Sequence, residues 1–303
     1  MAYIIDQIRL MEDNQIVTRS ILVDGNEFRF KEKQLDQFRF MKMDGSPYFM
    51  TPGFVMLDQN IQHLDQSHSF KLYVKNLIQK GCTFLIAAVD LPFERQWDEK
   101  KKHIRKVMMN SPIDYAIAAK IPIERLTPSI IRMLKREKIT VIIVEIKQIA
   151  ELDDVPWEWI RETLFPKQTP IFPHFSSEDQ SIFHQLKSKW QQIVKKYKLP
   201  SLEECPENGV PLTKEALMKI GLYPIRGEIL SGSNVDYNLF RMIDLVEENN
   251  YLDYYNHNPE VIVHNGSVLK AGEQIFYKPG FGKEVQLNAP GRFNMYSQPI
   301  NKY

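Results

Sequence analysis

Four side chains close apolar runs of the sequence and could gather at one end of a sheet. Asp58 and Asn60 follow Phe54-Val55-Met56-Leu57, Lys147 follows the run from Thr140 to Ile146, and His174 ends the run that starts at Pro170. Together they could hold one metal ion through Asp58, His174 and a migrated histidine, or work without metal through the carboxylate. His63 and His68, in the polar segment after the first run, are the histidines able to migrate; as solvated loop residues they would do no chemistry. His174 alone cannot make a site that needs several ligands, and a lone histidine at a strand end is more often a hydrogen-bonded surface residue. His184 lies beyond a new element starting at Ser176, so it shares no helix face with His174.

The remaining patterns read as structure. Asp153-Asp154 and Glu203-Glu204 are neighbouring carboxylates that point apart and belong to a solvated surface. Glu99-Lys100-Lys101-Lys102 through Arg105 is the wet face of a helix. Gly280-Phe281-Gly282-Lys283 lacks the spacing and the following helix of a phosphate loop and reads as a β-turn. No Gly-x-Ser-x-Gly elbow and no Cys/His arrangement points to covalent catalysis. Cys82 and Cys205 lack Cys-x-x-Cys spacing and are expected to be free thiols.

The elements that must position these groups alternate along the chain. Tyr3 to Leu10, Ile16 to Val23 and Glu27 to Phe30, the last after the Asp24-Gly25-Asn26 turn signal, predict strands of a small sheet. From Ser69 helix-like and strand-like runs take turns: Phe70 to Gln79, Phe84 to Asp90, Trp97 to Met109, Asp114 to Lys120, Pro128 to Lys138, Thr140 to Ile146. That rhythm predicts βα units and a mostly parallel sheet. Pro156 to Leu164 predicts a short helix and Pro170 to His174 a strand. Ser176 to Tyr197 predicts a long helix capped by Ser176 or Ser177, and Thr213 to Ile220 a helix that stops at Gly221. Strands return at Val261 to His264 and Gln274 to Tyr277. The two β-rich ends are too small to bury separate cores and are expected to pair into one domain.

Three stretches carry a resemblance. Met43-Asp44-Gly45 with Tyr48 through Val55 is similar to the entry into barrel strand one of the amidohydrolase superfamily, closest to its dihydroorotase and hydantoinase branch. Leu77 to Pro92 with Ser111 to Ala116 resembles the next βα unit. Gly221-Leu222-Tyr223-Pro224, Arg226-Gly227, Ile229, Gly232-Ser233 and Asp236-Tyr237 resemble the family's return from barrel to sandwich, whose work is structural. Val261 to Gly272 then resembles a closing hairpin, and Pro279 to Phe293 a terminal turn and strand. The implied fold is α/β: an incomplete TIM-like barrel of βα units (residues 52–221) plus a small composite β-sandwich formed by both termini (residues 1–51 and 222–303).

The resemblance also says what is missing. Members of the family grip divalent metal with two histidines just after the Pro-Gly-Phe turn; here Asp58 and Asn60 stand at those positions, and Met56 where an aspartate is usual. Ile143 stands where the family has a bridging lysine, and Lys147 would need a register shift to serve. No Asp-His pair resembling the family's catalytic aspartate on its last strand is visible, so the resemblance implies that the general base is missing as well. About 170 residues separate Pro52 from Gly221, room for five or six units of about 30 residues. The expectation is therefore a truncated, non-catalytic scaffold or binding module that needs no cofactor. The alternative is a divergent hydrolase of cyclic amide C–N bonds with a rebuilt site, single-metal (zinc) or metal-free. An incomplete barrel exposes strand edges, so a homodimer is expected, with surfaces around Trp157-Glu158-Trp159 and Tyr251 to Tyr255, alongside an unidentified protein or small-molecule ligand.

Composition bounds the rest. A chain of 303 residues, 43% hydrophobic, can build a large core. Its formal charge of +1 and lack of a basic stripe argue against nucleic acid as a partner. The apolar runs Phe84 to Val89 and Val141 to Val144 fall far short of the roughly 20 residues of a membrane span. Asp6 and Arg9 interrupt the apolar pattern at the N-terminus, so a cytoplasmic location is expected.

Overall fold

The computed structural model describes residues 2–12, 15–64, 68–177, 179–245, 247–248, 251–254 and 256–288. Period-two alternation in the first fifty residues does produce strands: β1 (Ala2–Glu12), β2 (Gln15–Asp24) and β3 (Glu27–Glu32) form an antiparallel meander. β4 (Met41–Asp44) and β5 (Tyr48–Pro52) run parallel to β1 along its other edge, β4 beside Tyr3 to Asp6 and β5 beside Arg9 and Leu10. A register break between Ile5 and Ile8, with Gln7 at φ 55°, bends β1 between these two neighbours.

At Gly53 the chain leaves this sheet for a second one. A Cβ here would lie 2.3 Å from Oγ1 of Thr83, so glycine is required by close approach to the neighbouring strand and not by a tight turn. Then follow β6 (Phe54–Asp58), α1 (His68–Gln79), β7 (Cys82–Asp90), α2 (Trp97–Met108), β8 (Asp114–Pro122), α3 (Pro128–Arg136), β9 (Ile142–Ile146), α4 (Trp157–Leu164), β10 (Ile171–Phe175) and α5 (Gln180–Tyr197). The five strands pair in sequence order, all parallel, as a curled half-barrel. The long helix starts later than Ser176, because Asp179 is the residue whose carboxylate caps it, accepting from Ser181 N–H at 2.8 Å.

α6 (Lys214–Ile220) is capped by Thr213 and stopped by Gly221 at φ 79°, as the sequence predicts. β11 (Tyr237–Arg241), β12 (Glu247–Glu248), β13 (Tyr251–Leu252), β14 (Val261–His264), β15 (Ser267–Ala271) and β16 (Gln274–Ile275) complete the chain. β11 pairs antiparallel with β5, so both ends of the chain share one nine-stranded sheet. The composite sandwich is thus a single sheet folded onto itself. Ile21, Val23 and Phe28 from one end pack with Tyr237, Leu239 and Val263 from the other, and Gly232 and Val235 donate to the free edge at Phe28 and Asn26. Near Gly280 a turn does occur, but over Lys278 to Phe281, closed by Phe281 N–H to the Lys278 carbonyl with Gly280 third at φ 72°, two residues earlier than the expected Gly280 to Lys283. Of the terminal turn and strand expected over Pro279 to Phe293, the described part up to Asn288 makes no strand, only an isolated bridge from Glu284 to Tyr115 of the half-barrel; the rest lies outside the described residues.

The half-barrel does not leave its edges open. Past α5 the segment from Pro200 to Leu212 bonds β10 through Ile171 N–H to the Pro200 carbonyl (2.8 Å) and Cys205 N–H to the Pro173 carbonyl (2.7 Å). It then reaches the opposite edge, β6, through Gly209 N–H to Leu57 (3.0 Å) and Leu212 N–H to Val55 (2.8 Å). The inner face, Val55, Leu57, Phe84, Ile86, Ala88, Ala116, Ala118, Val141, Ile143 and Phe172, is filled by Leu202, Leu212, α6, Leu222 and Leu287. The edges that were expected to call for a second copy are therefore covered within the chain. Trp157 is core, edge-on to Trp190, whereas Trp159 is 66% exposed; of the Tyr251 to Tyr255 segment, Tyr255 lies outside the described residues. No helix among the described residues is long and apolar enough to cross a membrane.

Candidate functional site at the barrel mouth

Alternation along each parallel strand sends every second residue inward, and at the C-terminal end of each strand the inward position changes from apolar to polar. Beyond Leu57 comes Gln59, beyond Ala88 Asp90, beyond Ala118 Lys120, beyond Ile143 Glu145 and beyond Phe172 His174. This ring occupies the end of the strands where barrel folds carry their active sites. Glu145 is its centre of charge: Lys120 Nζ lies 3.4 Å and Lys147 Nζ 3.5 Å from its carboxylate, and Ser176 Oγ donates to it at 3.2 Å. Burial alone would raise the Glu145 pKa, but the two ammonium groups outweigh it and hold the carboxyl below its usual value. His174 is half-buried; desolvation, aided by Lys120, lowers its pKa below the ordinary 6.5, so the ring is neutral at neutral pH. Asp90 faces His63 at 3.7 Å.

The segment that closes the barrel also roofs this ring. Gln59 N–H donates to Asn208 Oδ1 at 3.0 Å, and its side-chain amide approaches Cys205 Sγ at 3.7 Å. The Gln59 Oε1 is buried with no hydrogen-bond partner among the described residues. Burial pushes the Cys205 thiol up to about 12, so it is no nucleophile at neutral pH. Both cysteines are free.

The four sequence candidates share this end of the sheet but do not converge. Asp58 is fully buried and faces outward, toward the helices: its carboxylate accepts from Asn60 N–H (2.8 Å), Ile61 N–H (2.7 Å) and the Tyr73 hydroxyl of α1. Burial, then the Asp58 charge, pushes the Tyr73 phenol well up. Asn60 is exposed, and Lys147 is exposed beside Glu145. Only His174 points into the ring. His63 and His68 are exposed, and among the described residues no three His, Cys, Asp or Glu side chains are placed to hold a metal ion. The sequence reading missed Asp90, Lys120 and Glu145. Their signal was available: each is the first ionisable residue after an apolar strand run.

A second charged cluster is buried at the opposite end of the strands. Arg226 pairs with Asp114 at the start of β8 (2.5 Å) and with Asp236 just before β11, while His264 Nδ1 lies 2.9 Å from Asp236 and its Nε2 3.5 Å from Asp114. Asn265 N–H and Lys283 N–H donate to the same carboxylates at 2.7 and 2.9 Å. Burial opposes ionisation of Asp114, but the bond to His264 and the charges of His264 and Arg226 prevail and hold it far below the carboxylate range. Burial likewise opposes the His264 imidazolium, and the bonds to Asp114 and Asp236 prevail, raising it above 6.5. Two carboxylates balance one guanidinium and one imidazolium, and the cluster clamps the folded sheet to the half-barrel. A cavity of 890 Å³ opens beside it, between the return segment and residues 281–288.

No protein-family model matches the sequence, and no curated protein is similar to it at a significant level. Solved structures match its fold. A D-hydantoinase superposes with a TM-score of 0.71 at 10% identity, covering 95% of this chain and 99% of that one. A dihydropyrimidinase from Brevibacillus agri gives 0.65 at 12% identity over 96% and 100%. A triazine hydrolase variant gives 0.57 at 12% identity over 91% and 96%. At such identities the likeness establishes an amidohydrolase-like fold, as the three sequence stretches led us to expect, and the fold alone.

Proposed function

We propose that this chain is a degenerate amidohydrolase-like protein that binds a small polar ligand at its barrel mouth without turning it over. The observation that carries this reading is the use of Asp58, which stands where the resemblance places a metal-gripping histidine: its carboxylate is consumed by two backbone N–H groups and a tyrosine on the helix side of the sheet. The inward ring offers a single imidazole and a single ammonium group, Lys120, which already faces the Glu145 carboxylate at 3.4 Å. Such a ring suits a ligand with both donors and acceptors, and the unpartnered Gln59 oxygen offers it a buried acceptor.

The ring itself favours a second reading, metal-free hydrolysis of a cyclic amide, in which neutral His174 would act as general base beside Lys120 and Glu145. Elemental analysis of the purified protein for zinc, manganese and iron, combined with turnover assays on hydantoin and dihydrouracil, separates the two. Binding without turnover and no stoichiometric metal is the expected result. Near one equivalent of metal, with activity abolished by Asp58→Ala, would overturn the proposal; metal-free turnover lost in His174→Ala would establish the second reading.

A further inference from the structure

All four residues of β4 are exposed, Met41 at 62% and Met43 at 43%. One edge of β4 bonds β1; among the described residues no strand pairs with the other. The parallel register sets Met41 and Met43 beside Tyr3 and Ile5, on the core side of β1, and Lys42 and Asp44 beside Ile4 and Asp6 on the opposite side. On that opposite side Phe30, Phe38 and Phe40 stack in a row, with ring centroids 5.4 and 6.1 Å apart, and Phe30 and Phe40 are exposed. A strand edge with unpaired backbone groups, methionines on one face and the Lys42 and Asp44 charges beside the phenylalanine row on the other, is a template for another strand.

We propose that β4 is the interface of a homodimer, joined antiparallel to β4 of a second copy about a two-fold axis so that the nine-stranded sheet continues from one protomer into its partner. The charge pattern selects the second copy as occupant. A two-fold axis perpendicular to a sheet allows only registers centred on a residue, because opposed residues must share a face. Centring on Lys42 opposes two lysines, and centring on Asp44 opposes two aspartates. Centring on Met43 sets Lys42 of each protomer opposite Asp44 of the partner subunit, twice, and gathers four methionines on the other face. Lys42 now leans on Asp36 at 2.7 Å, an exposed pair that leaves it free to be shared.

Charge exchange tests this. Sedimentation equilibrium of the wild-type protein should show a dimer. Lys42→Asp and Asp44→Lys, at exposed positions that leave far-UV circular dichroism unaltered, should each weaken self-association by about tenfold or more by opposing like charges. Mixing the two variants restores opposite charges at both pairs and should recover a heterodimer. Met43→Arg, which sets two arginines face to face, should also dissociate. A monomeric wild-type protein at about 100 µM, a dimer indifferent to these substitutions, or variants that dissociate without recovering on mixing would each overturn the proposal.

Discussion

Asp58 and Asp114 are both buried carboxylates at strand ends, yet they do different work. Asp58 holds the first turn after β6 and the Tyr73 hydroxyl; Asp58→Ala leaves the buried Ile61 N–H, the Asn60 N–H and the Tyr73 hydroxyl without their acceptor. It should cost about 2–4 kcal/mol in urea unfolding, whereas His174→Ala, which removes a half-buried ring from the mouth, should cost under about 1 kcal/mol. Asp114 belongs to a four-charge cluster whose balance depends on protonated His264. The folded-state pKa of His264 is raised, so its contribution is complete below about pH 6.5 and is lost as pH rises through the folded value. Urea midpoints measured from pH 6 to pH 9 should therefore fall, and His264→Gln should flatten that slope. A slope unchanged in the variant would place the titration elsewhere.

At the scale of elements, the segment from Pro200 to Leu212 does the work that further strands would do in a complete barrel. Its anchor is Ser201, whose hydroxyl donates to the Ile171 carbonyl at 2.7 Å and accepts from Trp190 Nε1 at 3.0 Å. Ser201→Ala leaves that carbonyl without the hydroxyl and shifts Trp190 onto its longer contact with Leu202, so a loss of about 1–3 kcal/mol is expected. The same change should blue- or red-shift Trp190 fluorescence, since the indole sits at the edge of β10. A stability within about 0.5 kcal/mol of wild type would show that the edge is held by the backbone bonds alone.

At the scale of the molecule, the half-barrel and the folded sheet are fastened through Arg226, and Asn238 adds bonds to the carbonyls of Pro52 and Gly81. All four tryptophans, at 97, 157, 159 and 190, lie in the half-barrel. Their fluorescence therefore reports that part, while far-UV circular dichroism reports both. The two transitions should coincide in the wild type. Arg226→Met strands two buried carboxylates and should cost about 3–5 kcal/mol and pull the transitions apart. Coincident curves in that variant would mean that apolar contacts alone couple the two parts.

Local pattern was enough to read most elements: period-two runs became strands, the 3.6-residue runs became helices, and Thr213 and Gly221 bounded α6 as their chemistry dictates. The pairing of the two chain ends was also legible, because neither could bury a core alone. That Asp58 and Asn60 are the polar residues closing the first run of the half-barrel is a property of sequence, visible without coordinates. What the sequence could not reveal was direction and distance. Whether Asp58 faces the mouth or the helices depends on strand parity set by the buried neighbours Leu57 and Met56, and on Tyr73 standing ready to receive it. Asp114, Arg226, Asp236 and His264 are separated by up to 150 residues and meet only because two sheets dock. The closure of the half-barrel by an irregular segment has no periodic signature at all, since its bonds go to strand edges and not to itself, and only the tertiary structure could decide it.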